Sequence, residues 1–335
     1  MAGLKYTSLG RGGVRVSSIG LGFWQAGSRL WGFRDSRVYD AVKLGLEYAV
    51  EEGINFLDTA EVYGGGLSEK VLGEAVRGLG RDNFVVASKV AGYRVTSGSI
   101  VRGVEGVNRR LGFTVDLIQL HWPPPYPWPL CWAVRGLEEA VSRGLAHYYG
   151  FSNFSTKLLE GALKCFRRVE PVSNQVQYSL AFRTPELKLA PFMKSRGLTL
   201  IAWSPLAKGA LTGLKAPTSP AQRGDKVFSR ASRDERLQEA LRLVAEKLEA
   251  SRAQVALAWL IAKGAIPIPG FRDPGRVKEY AGAASLNMGE AEVGFLDSVS
   301  GEYVKAWGDD YGELLSLRLT PAILQRIAIT LMGGI

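Results

Sequence analysis

Asp58, Tyr63, Lys89 and His121 are spaced so that a proton could be held, aimed and transferred among them. Asp58 follows a short apolar run, Ile54-Asn55-Phe56-Leu57, that reads as a buried strand, and Tyr63 lies on the loop leaving it. Glycines follow at 64–66, and Ser68 reads as the cap of a helix starting at Glu69. The next apolar run, Phe84–Ser88, ends at Lys89, and the one after it, Asp116–Leu120, ends at His121. An unperturbed phenol has a pKa near ~10, so it is a poor proton donor at neutral pH unless a cation stands beside it. Lys89, on the neighbouring strand, is the cation the pattern supplies, and an ammonium against the phenol would lower that pKa. Acid, phenol, ammonium and imidazole on successive strand ends suit acid–base chemistry at the catalytic rim of a barrel.

Those strand ends need a frame. Residues 4–8 and 14–17 flank Gly10-Arg11-Gly12-Gly13 and read as a hairpin, and 18–22 as a short strand. A helix is predicted over 37–52, stopped by Gly53. Strands at 54–57, 84–88, 116–120, 145–150, 172–176, 198–203 and 265–268 then alternate with helices at 68–78, 97–111, 130–142, 155–167, 185–196, 233–249, 252–263 and 274–284. That alternation argues for parallel βαβ units. The expected fold is α/β, a (β/α)8 TIM barrel with an N-terminal β-hairpin cap and extra C-terminal helices. A doubly wound open sheet is the rival, but no GxGxxG turn follows the first strand. No linker divides the chain, so 1–335 reads as one domain, with 302–335 as a C-terminal extension. Residues 204–232, rich in Gly, Pro, Ser and Lys, read as a long functional loop at the catalytic rim. The extension opens with Tyr303, Trp307, Asp309, Asp310 and Tyr311, then turns apolar from Leu314 to Met332. It reads as an extra helix on the barrel, a subunit contact or a membrane-surface segment.

The formal charge is +10, yet the basic residues are scattered, with no run longer than pairs such as Arg109-Arg110 and Arg167-Arg168. The scatter argues against nucleic acid and for a polyanionic small ligand or simply a basic surface. No apolar run is long enough to span a bilayer, and Met1–Tyr6 lacks the apolar core of a secretory signal. Cys131 and Cys165 match no metal spacing, and no acid–cysteine cluster offers a metal site. The expectation is a cytoplasmic protein with buried or inert thiols.

Several short motifs now fall in order, each at a strand end. They are Leu-Gly-Phe-Trp at 21–24, Asp-Thr-Ala-Glu-Val-Tyr-Gly at 58–64, Ser-Lys at 88–89 and Gln-Leu-His at 119–121. Gly-Phe-Ser-Asn-Phe at 150–154, Asn-Gln at 174–175, Trp-Ser-Pro-Leu at 203–206 and Ile-Pro-Gly at 268–270 complete the set. Together they resemble the aldo-keto reductase family from about residue 4 to about residue 290, and look most like its bacterial, plant and potassium-channel-β-subunit branch. The resemblance implies NADPH-dependent reduction of aldehydes or ketones to alcohols, with NADP+ as the spent cofactor, hydride from nicotinamide and the proton from Tyr63. It implies that Asp58 pairs with Lys89 and that His121 hydrogen-bonds the carbonyl oxygen. Partners would be a small carbonyl substrate, without nucleic acid or membrane; the chain would be a monomer or a homo-oligomer formed through the extension. A second implied reading is a redox-sensing regulatory subunit that binds cofactor with little turnover. A third, outside the family, is a barrel isomerase or aldolase using Lys89 as a Schiff base.

The same resemblance assigns binding residues. Trp203 matches the aromatic stacked on nicotinamide, and Ser152, Asn153 and Gln175 match the carboxamide binders. Ser204, Leu206, Lys208 and Gly209 would cradle the pyrophosphate. Phe23 and Trp24 fall among the cofactor contacts. Trp24, Trp122 and Trp128, with Phe23 and the prolines at 123–127, would wall a pocket for an apolar carbonyl compound or else pack the rim. Glu279 lies at the adenine end, followed by Tyr280 where the family has asparagine. Beyond strand eight, Asp273 reads as a helix cap and Pro274 as the first helical residue, which puts Arg272 on the loop and Arg276 in the first turn. A cation is disfavoured there by the helix dipole unless an anion binds, and the 2′-phosphate of NADPH is such an anion.

Overall fold

Eight short strands, most of them buried on both faces, set the architecture. The chain is seen here in a computed structural model, which describes residues 4–32, 37–308, 310–311, 315–332 and 334. Met1–Gly3, Asp309 and Leu314 lie outside these. A hairpin, β1 (Tyr6–Ser8) and β2 (Arg15–Ser17), comes first and pairs antiparallel. The elements β3 (Gly20–Gly22), α1 (Arg37–Glu52), β4 (Phe56–Asp58), α2 (Leu67–Leu79), β5 (Val85–Val90) and α3 (Ser97–Leu111) follow. Next come β6 (Val115–Leu120), α4 (Leu130–Ser142), β7 (Ala146–Ser152), α5 (Thr156–Leu163), β8 (Ser173–Gln177), α6 (Leu189–Arg196) and β9 (Thr199–Trp203). Then come α7 (Lys226–Arg233), α8 (Glu235–Lys247), α9 (Arg252–Ala262), β10 (Ile266–Pro267), α10 (Arg276–Ser285), α11 (Glu290–Val299), α12 (Leu315–Leu319) and α13 (Ala322–Leu331). Strands β3 to β10 pair in parallel in chain order, and a bridge between Gly22 and Gly270 joins the two edges. The expected (β/α)8 barrel with its hairpin cap is what forms.

Period-two alternation explains how the barrel both packs and reacts. Phe56, Ala87, Leu117 and Ile201 point inward and form a buried layer with Ile266, closed from below by Leu9 and Val16 of the hairpin segment. Two residues further along each of those four strands stand Asp58, Lys89, Gln119 and Trp203, the next layer on the same face. The alternate residues, Leu57, Val86, Ile118 and Leu120, face outward into the core under the helices. The polar layer therefore lies at the C-terminal ends of the strands, on an apolar floor.

Four local expectations are corrected. Ser68 is not a cap: α2 begins at Leu67 with Gly66 as cap, and the Ser68 hydroxyl donates to the Phe23 carbonyl at 2.9 Å. The span 204–232 is not all loop, because the Asp225 carboxylate caps α7 by accepting from the Phe228 N–H. Helix α10 starts at Arg276 rather than Pro274; the Asp273 carboxylate points back, but onto the Gly275 N–H at 3.0 Å. The two cysteines are not free thiols. The chain brings the first turn of α4 beside the end of α5, and Cys131 and Cys165 form a disulfide with Cα atoms 4.9 Å apart. A bridge withdraws the thiol argument for a reducing compartment. Among the described residues no helix is long and apolar enough to cross a membrane.

The extension packs on the barrel. Gln325 of α13 is buried; its carbonyl accepts from Trp122 Nε1 at 2.9 Å while its amide donates to the carbonyls of Leu317 and Thr320. Leu317 and Ile329 pack against the cluster of Tyr63, Ala91 and Trp122. The opposite face of α13 leaves Ile323, Leu324, Ile327 and Leu331 exposed.

Candidate active site

Three successive left-handed glycines follow Tyr63: Gly64, Gly65 and Gly66 have φ of 56°, 67° and 92°. A Cβ at Gly64 would stand 2.7 Å from the Gly27 carbonyl oxygen, so only glycine lets the loop turn back and set the phenol over the barrel mouth. There the Lys89 ammonium uses all three donors: 2.5 Å to Asp58 Oδ2, 2.9 Å to the Thr59 carbonyl and 3.2 Å to the Tyr63 hydroxyl. The Lys89–Asp58 pair is almost fully buried, at 0% and 3% side-chain exposure, which makes every uncompensated charge costly. Asp58 Oδ1 is satisfied in turn by Gln119 Nε2 at 3.1 Å and Gln175 Nε2 at 2.7 Å. The His121 ring stands edge-on to the Tyr63 ring, centroids 5.5 Å apart. Asp58, Tyr63, Lys89 and His121 are thus brought together as expected.

The electrostatics differ from expectation in one respect. Burial raises the Tyr63 pKa above its ordinary value, and although the Lys89 charge and hydrogen bond pull it down, they do not overcome burial. The phenol therefore stays protonated, poised as a donor. Burial alone would depress Lys89, but the charges and hydrogen bonds of Asp58 and Tyr63 outweigh it, and the ammonium persists. Burial, helped by the Lys89 charge, holds His121 well below the usual histidine range, so its imidazole is neutral.

A cavity of about 770 Å³ runs from this group to the start of α10. Asp58, Tyr63 and His121 line its head, with Trp24, Trp31, Ser152, Asn153, Gln175 and Trp203 beside them. Ser204, Leu206, Lys208 and Gly209 line its middle, and Arg272, Arg276 and Tyr280 its far end. Four non-glycine positions on or next to this wall hold positive φ: Asn153 (63°), Ser204 (52°), Ala207 (46°) and Lys208 (55°). Strain of this kind concentrates where a backbone is shaped for a ligand. The segment 204–225 folds over the cleft: Gln222 donates to the Lys208 carbonyl, and the Ala221 N–H to the Leu30 carbonyl. Lys208 Nζ bonds the Ala221 carbonyl at 3.0 Å and Asp225 at 2.6 Å, so its charge is shared with the loop. Trp24 Nε1, Trp31 Nε1 and His121 Nδ1 are buried without a protein partner among the described residues, as expected where a polar ligand completes a cleft.

Lys89 stands behind Tyr63 rather than on the cavity wall, and four other expected site residues do not line the cavity either. Phe23 is buried in the core, edge-on to Phe271 at 5.7 Å. Trp122 is held under the extension by Gln325. Trp128 lies outside against Trp132, ring centroids 5.8 Å apart. Glu279 sits behind the wall, accepting from Ser251 Oγ and pairing with Arg276 at 2.6 Å. Four residues were missed. Gln119 was visible in its motif but had no role, and Thr59 acts through its carbonyl. Trp31 and Gln222 reach the cleft through loops that carry no periodic signal. Among the described residues, no cluster of three or more His, Cys, Asp or Glu side chains could hold a metal.

Similarity to known proteins extends over most of the chain. Residues 18–300 match the sequence model of the Aldo/keto reductase family. An uncharacterized oxidoreductase of Mycobacterium tuberculosis is 36% identical over 281 residues, spanning 82% of this chain and 86% of the relative. The chloroplastic pyridoxal reductase of Arabidopsis thaliana is 34% identical over 319 residues, spanning 88% and 86%. The crystal structure of an aldo-keto reductase from Klebsiella pneumoniae in complex with NADPH superposes with a TM-score of 0.73 at 28% identity, covering 91% of this chain and 97% of that one.

Proposed function

The chain belongs to the aldo/keto reductase family, and on that premise we propose that it reduces aldehydes or ketones to alcohols using NADPH, with Tyr63 as the proton donor. The observation that carries the proposal is the buried chain Asp58–Lys89–Tyr63 beside a neutral His121 at the head of the cavity. NADPH, when bound, supplies the hydride. Trp203, Ser152 and Gln175 would hold its nicotinamide end, Ser204 to Gly209 its pyrophosphate, and Arg272 and Arg276 its 2′-phosphate. Asn153, expected among the carboxamide binders, has its amide committed to His121, Ser152, Trp203 and Tyr311 and would orient that end rather than bind it. Its presence in the Klebsiella structure, a cavity of fitting size and the unpartnered donors of Trp24 and Trp31 support that placement.

Tyr63 gives its phenolic proton to the carbonyl oxygen as that oxygen becomes an alkoxide. Lys89, 3.2 Å from the phenol, stabilises the negative charge left on it, and Asp58 keeps the ammonium in place. His121 hydrogen-bonds the same oxygen and fixes its angle. Trp24, Trp31 and Trp203 give the reacting end an aromatic wall, which suits an apolar or aromatic carbonyl compound. The test is oxidation of NADPH by the pure protein with 4-nitrobenzaldehyde, set beside the NADPH dissociation constant. Sustained turnover supports the reductase. Tight NADPH binding with negligible turnover across a panel of carbonyl compounds would replace it with a redox-sensing regulatory role.

A further inference from the structure

We infer that Tyr311, delivered by the C-terminal extension, is a positioning residue for the hydride-receiving face of the site, acting through Asn153 on Trp203 and His121. The inference rests on the reading of Trp203 as the nicotinamide platform.

Asn153 is the hub. It is left-handed, with φ of 63°, and its side chain is fully engaged. Its amide nitrogen donates to the His121 carbonyl at 2.9 Å and to Ser152 Oγ at 3.1 Å. Its amide oxygen accepts from Trp203 Nε1 at 3.0 Å and from the Tyr311 hydroxyl at 2.9 Å. An amide has two donors and one oxygen with two lone pairs, so all four places are taken. Turning the amide over would set its N–H groups against the indole N–H and the phenol O–H, so the network selects one orientation. That orientation fixes the indole edge of Trp203 and hence the tilt of its face. It also ties the residue to the backbone of His121.

The Tyr311 hydroxyl holds its own angle by accepting from the Gln177 N–H at the end of β8, at 3.4 Å. Its ring is buried, edge-on to Phe182 with centroids 6.1 Å apart. The segment around it is pinned independently. Trp307 stacks on Phe182 and donates to the Ala181 carbonyl at 3.0 Å, and Asp310 accepts from Thr156 Oγ1 at 2.9 Å. With those anchors the extension would stay docked without the Tyr311 hydroxyl. What the hydroxyl adds is its bond to Asn153.

The test is Tyr311→Phe, which keeps the packing and removes only the O–H, combined with Trp203→Phe in a double-mutant cycle. Trp203→Phe keeps an aromatic face and loses the N–H. Thermal midpoint, NADPH dissociation constant and kcat with 4-nitrobenzaldehyde are read for all four proteins. Tyr311→Phe should leave the midpoint within a few degrees and lower kcat about three- to tenfold, the range of one ordinary hydrogen bond. In the Trp203→Phe background the same change should cost less than about twofold, because the indole bond it supports is already gone. The inference is overturned if Tyr311→Phe leaves kcat within twofold while Trp203→Phe impairs it, or if the two losses simply multiply. A drop in the midpoint with unchanged kcat per folded molecule would make Tyr311 only an anchor of the extension and equally overturn it. If Trp203→Ala left NADPH binding and kcat untouched, the platform reading itself would fall.

Discussion

Arg276→Ala should separate the two nicotinamide cofactors. The Arg276 side chain is 52% exposed and already paired with Glu279, which also accepts from Ser251. A charged hydrogen bond is worth about 1.5–3 kcal/mol, but an exposed cation screened by solvent and shared with a carboxylate belongs at the low end. We therefore expect a loss of about 1.5 kcal/mol, roughly tenfold in the NADPH dissociation constant. NADH, which lacks the 2′-phosphate, should change less than about twofold. Arg272 also lines that end of the cavity, so binding is weakened rather than abolished. The assay is quenching of tryptophan fluorescence by each cofactor at two ionic strengths, and the NADPH advantage should narrow at the higher one. Equal losses for both cofactors, or a wild type that prefers NADH, would refute the assignment of Arg276 to the 2′-phosphate.

Two further outcomes follow from the buried site and the bridge. Lys89→Met removes the group that pulls the Tyr63 pKa down, so that pKa should rise further above its ordinary value. Alcohol oxidation needs the phenolate and fades as pH falls through this pKa, so the acid-side limb of its pH–rate profile should move to higher pH. The variant also strands Asp58 and should lose about 3–5 kcal/mol of stability, so folding must be checked by circular dichroism. An unmoved limb in folded protein would contradict the Tyr63–Lys89 coupling. Replacing both Cys131 and Cys165 by serine should leave kcat unchanged but lower the thermal midpoint, because a bridge spanning a sequence separation of 34 contributes about 3–4 kcal/mol through the unfolded chain. An unchanged midpoint would show that the bridge adds nothing to stability.

What was legible in the sequence is what short-range periodicity encodes. Strand β4 ends at Asp58, β6 ends just before His121, and α1 covers 37–52 as the apolar spacing requires. The step from apolar to polar on the inward face, Phe56 to Asp58 and Ala87 to Lys89, repeats from strand to strand and marks the reacting end. Contacts between distant segments left no such trace. Nothing near Trp122 announces Gln325, and nothing near Asn153 announces Tyr311. The family resemblance pointed to Trp122 and Trp128 as pocket walls, but the extension covers the first and the second lies against Trp132 away from the cavity. The direction of the Tyr63 shift also depends on burial, which outweighs the lysine and is a property of the whole fold.

The proton donor is the central claim, and Tyr63→Phe with 4-nitrobenzaldehyde and NADPH tests it most directly. The substitution removes one hydroxyl from a ring that is packed against Trp122 and Ala91, so cofactor affinity should stay within about twofold. Carbonyl reduction should fall by at least the roughly 10²–10⁴-fold that general acid catalysis contributes. A variant that binds NADPH normally and turns over at less than about a hundredth of the wild-type kcat is the predicted result; one that keeps more than about a tenth of it would place the proton on another group.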